Sequence, residues 1–288
     1  MARGGRRTGR ARRHKDRILA DRRRQPPDKR LRRGGQLGPA GEDRGFMAEK
    51  IILGLCTSGS RLKAAVYDGK KFLGAQKKVF NQELELFPMV KRLLAKAGTG
   101  LRGVEAVCAA RGPGRFTGIR ISLTLAASLK AMAGAAVHTA TLFEILALQA
   151  AESRDFRRWS PSGGRLAVLL HAFKDEYFCQ FFAAAPGARP APEGEPVWLK
   201  AEEAKKLLAA GGGPLYAVAD AEEDPGVYAL VPPAAARAPA SVSKIIPAYI
   251  IKAALAYKNR SLKPLYLKPA KYELENNISY GPGRRLKK

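Results

Sequence analysis

Arg111-Gly-Pro-Gly-Arg-Phe-Thr-Gly-Ile-Arg120 is the stretch on which the reading of this chain turns. An apolar run at 104–109 precedes it and predicts a short strand. The Leu- and Ala-rich run at 119–133 follows and predicts a helix. Gly112, Gly114 and Gly118 permit positive φ or close backbone approach, and Pro113 stiffens the turn. Thr117 is the candidate cap of the helix. Two phosphate-loop patterns fail on it. The dinucleotide pattern needs a third glycine where Thr117 stands, and the Walker pattern needs Gly-Lys-Ser/Thr where the chain reads Gly118-Ile-Arg. From the residues alone two readings stay open: a tight structural turn, or an anion site made by the helix N-terminus with Arg115 and Arg120.

Working outward, residues 51–56 form a continuous apolar run, as in a strand buried on both faces. Residues 63–67 predict a second strand, Asp68-Gly69 a hairpin turn, and 71–75 the returning strand. Leu86, Val90, Leu93, Leu94 and Ala97 give 83–97 helical spacing, with Pro88 assigned to its first turn. Residues 142–152 predict another helix, and 154–164, with Pro161, Gly163 and Gly164, a linker. The opening theme then recurs about 115 residues on: a strand at 166–170, a turn at Lys174-Asp175 and a strand at 177–183. Residues 186–196 read as a Pro/Gly/Ala loop, 201–208 as a helix, 215–219 as a strand and 248–257 as a helix. The expected organisation is a first lobe at 47–153 and a second at 165–270, with the helix near 248–258 returning to the first lobe.

The charge is unevenly spread. Residues 1–46 hold 14 Arg and 2 Lys against 5 acids, a net +11 of the chain's +27. With so few apolar residues this segment cannot offset its chain entropy, so a disordered basic extension is expected there, with a basic tail at 271–288. Met47-Ala-Glu-Lys reads as a fresh start, so the extension is either an upstream-start artefact or a flexible arm. Such a charge balance favours polyanionic neighbours such as RNA. Its Arg-rich start contains acids, one Thr and no Ser, unlike a transit peptide, and has no apolar signal core. No run reaches a membrane span; 121–142, the best candidate, is broken by Lys130 and His138. Cys56, Cys108 and Cys179 are scattered and odd in number, which argues against a disulfide framework or a cysteine zinc site and for a reducing, cytoplasmic setting.

The string Gly-Pro-Gly-X-Phe-Thr-Gly-X-Arg at 112–120 resembles the signature of the TsaB family. Ile52-Leu-Gly-Leu-Cys-Thr-Ser58 is similar to that family's opening strand and turn, and Pro264-Leu-Tyr-Leu-Lys268 to its closing Pro-X-Tyr-Leu-Arg segment. The resemblance covers about 49–268. It implies an α/β, two-lobed actin/hsp70-like (ASKHA, ribonuclease H-like) duplicated fold. It also implies a non-catalytic scaffold subunit of the complex that forms N6-threonylcarbamoyladenosine at position 37 of tRNA. Its implied partners are a TsaD-like catalytic subunit and a TsaE-like ATPase, with tRNA held indirectly. On this sequence the implied partner helices are 83–97 and 119–133, with Leu86, Val90, Leu93, Leu123, Ala127, Lys130 and Ala131 as interface residues. The same surface would support a homodimer when the partner is absent.

Departures from related proteins favour the scaffold role. The metal-binding His-X-X-X-His pair of TsaD is missing, since His14, His138 and His171 stand far apart in sequence. The acidic position ending the first strand in ASKHA kinases is Cys56 here, and the family's Asp-Ala-Arg in the second lobe reads His171-Ala-Phe173. No catalytic residue, metal or cofactor is therefore expected. His171 reads as structural, and Asp175 and Glu176 as a turn pair. Two competing functions remain: a stand-alone ASKHA-type ATP-dependent enzyme, and a basic RNA-binding protein.

Overall fold

The computed structural model describes residues 50–185, 187–210 and 213–268. The expectations for 1–46 and 271–288 lie outside the described residues. The first sheet is built from β1 (Ile52–Cys56), β2 (Arg61–Tyr67), β3 (Phe72–Lys78), β4 (Ala106–Ala110) and β5 (Ala136–Ala140), in the order β3-β2-β1-β4-β5. β1 pairs antiparallel with β2 and parallel with β4. The second sheet holds β6 (Gly164–Phe173), β7 (Glu176–Ala184), β8 (Ala191–Lys200), β9 (Leu215–Ala219) and β10 (Ala236–Arg237). Its order is β10-β9-β6-β7-β8, with β6 antiparallel to β7 and parallel to β9. The second sheet thus repeats the first strand for strand, and this duplicated plan is the two-lobed actin/hsp70-like fold.

Among the described residues six α-helices cover the sheets: α1 (Gln82–Lys96), α2 (Phe116–Ala133), α3 (Leu142–Ala151), α4 (Arg154–Trp159), α5 (Ala201–Ala209) and α6 (Pro247–Tyr257). α1 and α2 bury Leu86, Val90, Leu93, Ile119 and Leu123 against the outer face of the first sheet. α5 covers the outer face of the second. The central core lies between the sheets, where α3 and α6 pack together. These two helices are exchanged. α6, last in the second lobe, packs on β1, β2, β4 and β5 of the first, while α3, last in the first lobe, packs on β6 and β9 of the second. Both helices are apolar nearly all round, as helices sandwiched between sheets must be. All five residues of β1 are buried, because helices cover both faces of the strand.

Several elements depart from the sequence expectation. Pro88 lies in the second turn of α1, not the first. It leaves the Leu84 carbonyl without its usual i+4 donor, and both residues are exposed, so water can serve that group. Thr117 is not the cap of α2, which begins one residue earlier; Arg115 holds the cap position with no side-chain hydrogen bond. The expected linker at 154–164 contains α4, capped by Ser153. The expected loop at 186–196 becomes most of β8. Among the described residues that strand hydrogen-bonds only to β7, so Pro192 and Pro196 sit on a sheet edge, where a missing N–H is tolerated.

Candidate functional site

The loop 111–118 is anchored on three sides. The Arg115 N–H donates to the Ser58 carbonyl at 2.8 Å, tying it to the turn that follows β1. The Thr57 hydroxyl donates to the Gly118 carbonyl in a short hydrogen bond. The Leu142 N–H donates to Gly112 O and the Leu265 N–H to Arg111 O, both at 2.7 Å. The Gly112–Pro113 peptide is cis. Gly114 has φ +149°, and a Cβ there would meet Ser58 O at 2.5 Å; a Cβ on Gly118 would meet Thr57 O at 2.0 Å. Glycine is thus required by close backbone approach, and the geometry favours the structural-turn reading of this loop over the anion site.

The three segments carrying the sequence resemblance converge here. Tyr266 stacks on Phe116 with ring centroids 5.0 Å apart, and the Arg120 guanidinium lies 3.7 Å from the Phe116 ring centre. Arg120 Nε donates to the Tyr266 hydroxyl at 3.0 Å. The cation–π and stacking contacts fix three side chains on the surface with their outer faces in solvent.

On one side of this loop lies a cavity of about 300 Å³ between the lobes, lined by Ser58, Gly114, Arg115, His171, Asp220 and Glu223, among others. Cys56 is buried below it, and burial pushes its thiol pKa up. His171 Nε2 lies 2.9 Å from the Lys174 carbonyl and its ring packs on Tyr177, with no carboxylate partner among the described residues. Glu176 accepts from Lys268 Nζ at 2.5 Å and Trp198 Nε1 at 3.3 Å, while Asp175 is exposed in the hairpin turn. The two acids do not form a dyad. Among the described residues no three His, Cys, Asp or Glu side chains gather as a metal site would need.

The sequence reading missed the acidic turn after β9. Glu223 accepts from the Ser60 N–H at 2.8 and 2.9 Å and from its hydroxyl at 3.0 Å. Glu222 pairs with the buried Lys63 at 2.6 Å. These contacts join the second lobe to the β1–β2 turn of the first. Asp220, only 5% exposed, has its carboxyl pKa pushed up to about 6, chiefly by desolvation and against the pull of Lys63. An Asp closing a fully buried strand was the available signal, but the partners of the two glutamates that follow it lie about 160 residues away.

On the other side of the loop, α1 and α2 leave a groove of about 400 Å³ lined by Leu86, Phe87, Thr117, Arg120, Ile121 and Leu125. Of the expected interface residues, Val90, Leu93 and Leu123 are buried in the lobe's own core and cannot face a partner, while Leu86, only 4% exposed, contributes to the groove floor. Ala127 is half-buried, and Lys130 and Ala131 are exposed. The apolar side chains that do face outward are Leu84, 69% exposed, Phe87, 44%, Phe116, 53%, and Met132, 87%. Helical spacing marks the buried face, and these four side chains lie off it.

Comparison with known proteins is consistent with this geometry. The family model described as "TsaD: tRNA N6-adenosine threonylcarbamoyltransferase" matches residues 81–172. A tRNA threonylcarbamoyladenosine biosynthesis protein TsaB from Buchnera aphidicola subsp. Schizaphis graminum is 36% identical over 80 residues, 27% of this chain and 38% of that protein. The protein of the same name from Haemophilus influenzae is 33% identical over 84 residues, covering 29% and 36%. The matched stretches therefore span under two fifths of these relatives' length, and over them the chain is similar to TsaB. YeaZ from Pseudomonas aeruginosa superposes with a TM-score of 0.59 at 21% identity, covering 76% of this chain and 100% of that one. A second structure from that organism, described as similar to peptidase YEAZ, has the same TM-score at 23% identity. Both support the fold.

Proposed function

We propose that the chain is a TsaB-type scaffold subunit of the machinery that forms N6-threonylcarbamoyladenosine at position 37 of tRNA. In this reading it performs no chemistry and docks a TsaD-like catalytic subunit through the α1/α2 groove. The observation that carries the reading is the groove lined by Phe87, Ile121 and Leu125, with Leu84 and Met132 exposed on the same two helices, beside the structured glycine loop. Isolated exposed apolar residues are ordinary, but several grouped along a groove are the mark of an interaction surface. The interlobe cavity fits a non-catalytic role. Cys56 stands where ASKHA kinases place an acid, and Glu223 already binds the Ser60 amide and hydroxyl. A TsaE-like ATPase would join the same assembly, and the same surface would support a homodimer when the partner is absent.

The test is affinity capture of the full chain from extract of its own cells, with identification of what is retained. A TsaD-like protein is the expected partner, and Phe87→Asp combined with Met132→Asp should weaken its capture at least about tenfold, as loss of an interface anchor does. Recovery of no such protein, or capture indifferent to the double substitution, refutes the reading. Calorimetric titration with ATP and magnesium addresses the enzyme alternative; binding at millimolar concentration or better would favour it.

A further inference from the structure

We propose that residues 258–266, the strap that follows α6, contact RNA directly, as a phosphate-binding stripe ending in a base-stacking platform. The inference deepens the subunit reading and rests on it for tRNA as the RNA concerned. From residue 225 to 272 the sequence contains no Asp or Glu but eight Lys and Arg. Some of these have partners: Lys252 pairs with Glu152 and Lys268 with Glu176. Lys258, Arg260 and Lys263 are exposed and form no ion pair among the described residues. An unneutralised run of cations of this kind is the electrostatic footprint of a polyanion site.

The strap is held by its backbone, which leaves these side chains outward. The Thr139 N–H donates to the Asn259 carbonyl at 2.7 Å and the Thr139 hydroxyl to the Ser261 carbonyl at 3.0 Å, so the segment runs along β5. Leu262 packs against the core under α2. Exposed Lys258 and Arg260 alternate with half-buried Asn259 and Ser261. Lys258, the left-handed cap of α6, begins the series, and Arg260 and Lys263 follow it on the segment that leaves the helix. Arg189 extends the series at its start, since Nη1 donates to the Ala256 carbonyl and the guanidinium lies over Tyr257.

At the far end the strap delivers Tyr266, 43% exposed, onto Phe116 and Arg120. A fixed stack of two rings and a guanidinium offers a planar face for an unpaired base, which a purely electrostatic patch would lack. An acidic protein surface would also suit the cations, but it would leave this planar stack without a role. RNA with unpaired nucleotides matches both parts.

The test uses the full chain without any partner, an unmodified tRNA transcript, and fluorescence anisotropy from 50 to 200 mM salt. Lys258→Ala/Arg260→Ala/Lys263→Ala should lower the salt slope by about two to three, one counterion term per lost phosphate contact, and weaken binding at least about tenfold. Tyr266→Ala should weaken it about fivefold or more, with Tyr266→Phe close to the parent, because stacking needs the ring alone. The control Arg154→Ala/Arg158→Ala/Lys206→Ala removes the same charge elsewhere and should have less than half the effect. A parent-like slope in the strap variant, or a control equally impaired, overturns the proposal. So does a strap variant that loses protein partners while keeping RNA. Photocrosslinking of thiouridine-substituted tRNA to the unsubstituted chain gives a readout free of folding effects. Crosslinks should fall in 258–266, and their absence there counts against the strap. Capture of a TsaD-like protein should survive the strap substitutions, so the two readings fail separately.

Discussion

Replacing Gly118 by alanine should destabilise the protein, although Gly118 lies in the first turn of a helix. In an ordinary helix interior the change gains about 1 kcal/mol, since glycine is the poorer helix former. Here the new Cβ would lie 2.0 Å from Thr57 O, and the atom it meets is backbone at the end of the central strand. No side-chain rotation relieves that contact. The Thr57 hydroxyl also donates to the Gly118 carbonyl, so helix and strand end cannot separate without losing a buried hydrogen bond. Overpacking costs typically about 1–3 kcal/mol, and a clash with fixed backbone belongs at the upper end. The net expectation is a loss of about 2 kcal/mol, which in a chain of this size lowers Tm by roughly 4–8 °C. Gly100→Ala is the matched control: nothing lies within 4 Å of its added Cβ and φ is −125°. It should change stability by less than about 0.5 kcal/mol. Both are read by thermal unfolding followed by circular dichroism. A Gly118→Ala protein that melts at or above the parent temperature would falsify the claim that loop and β1 are in fixed contact.

Two further outcomes follow from buried titratable groups. Burial pushes Asp220 to about 6 from its ordinary 3.8, so the folded state holds a proton that the unfolded state has released between those values. Stability should therefore fall as pH rises from 4 to 6 and stay reduced above; Asp220→Asn should remove a penalty on the order of 2–3 kcal/mol at pH 8 and little at pH 4. Urea unfolding at the two pH values measures this, and an equal effect at both would contradict it. Cys56, Cys108 and Cys179 are all buried, and desolvation raises each thiol, Cys179 to about 12. No thiol should react with a thiol reagent at pH 8 in the native protein, and all three should react after denaturation; a fast-reacting native thiol would show that a strand end opens.

Much of the fold was legible because it is written in local chemistry. The uninterrupted apolar runs of β1 and β9 lie where the pattern placed them, and Asp68-Gly69 turns the first hairpin. β8 was hidden because an edge strand needs neither apolar alternation nor freedom from proline. Pro88 was misplaced by a turn because its tolerance depends on which carbonyl faces water, a tertiary fact. The loop at 112–118 was recognisable as a string, yet the reason for its glycines appears only when Thr57 and Ser58 lie against it. The groove was harder still. Periodicity found Leu86 and Val90 because they are buried, and it is silent about Phe87 and Met132, whose exposure breaks the pattern. Glu222 and Glu223 act on Lys63 and Ser60 across two lobes, a relation that no window along the chain contains.

The exchange of α3 and α6 has a consequence for biosynthesis. A ribosome delivers the first sheet long before residue 257, yet the helix that seals its inner face ends there. Until then Ile52, Ala65 and Cys108 lack their cover, and the nascent first half presents a sticky, unfinished surface. Neither half can mature by itself, so folding should be a single late event that closes both halves together. Fragments cut between the lobes should recruit holdase chaperones or aggregate, not persist as independent modules.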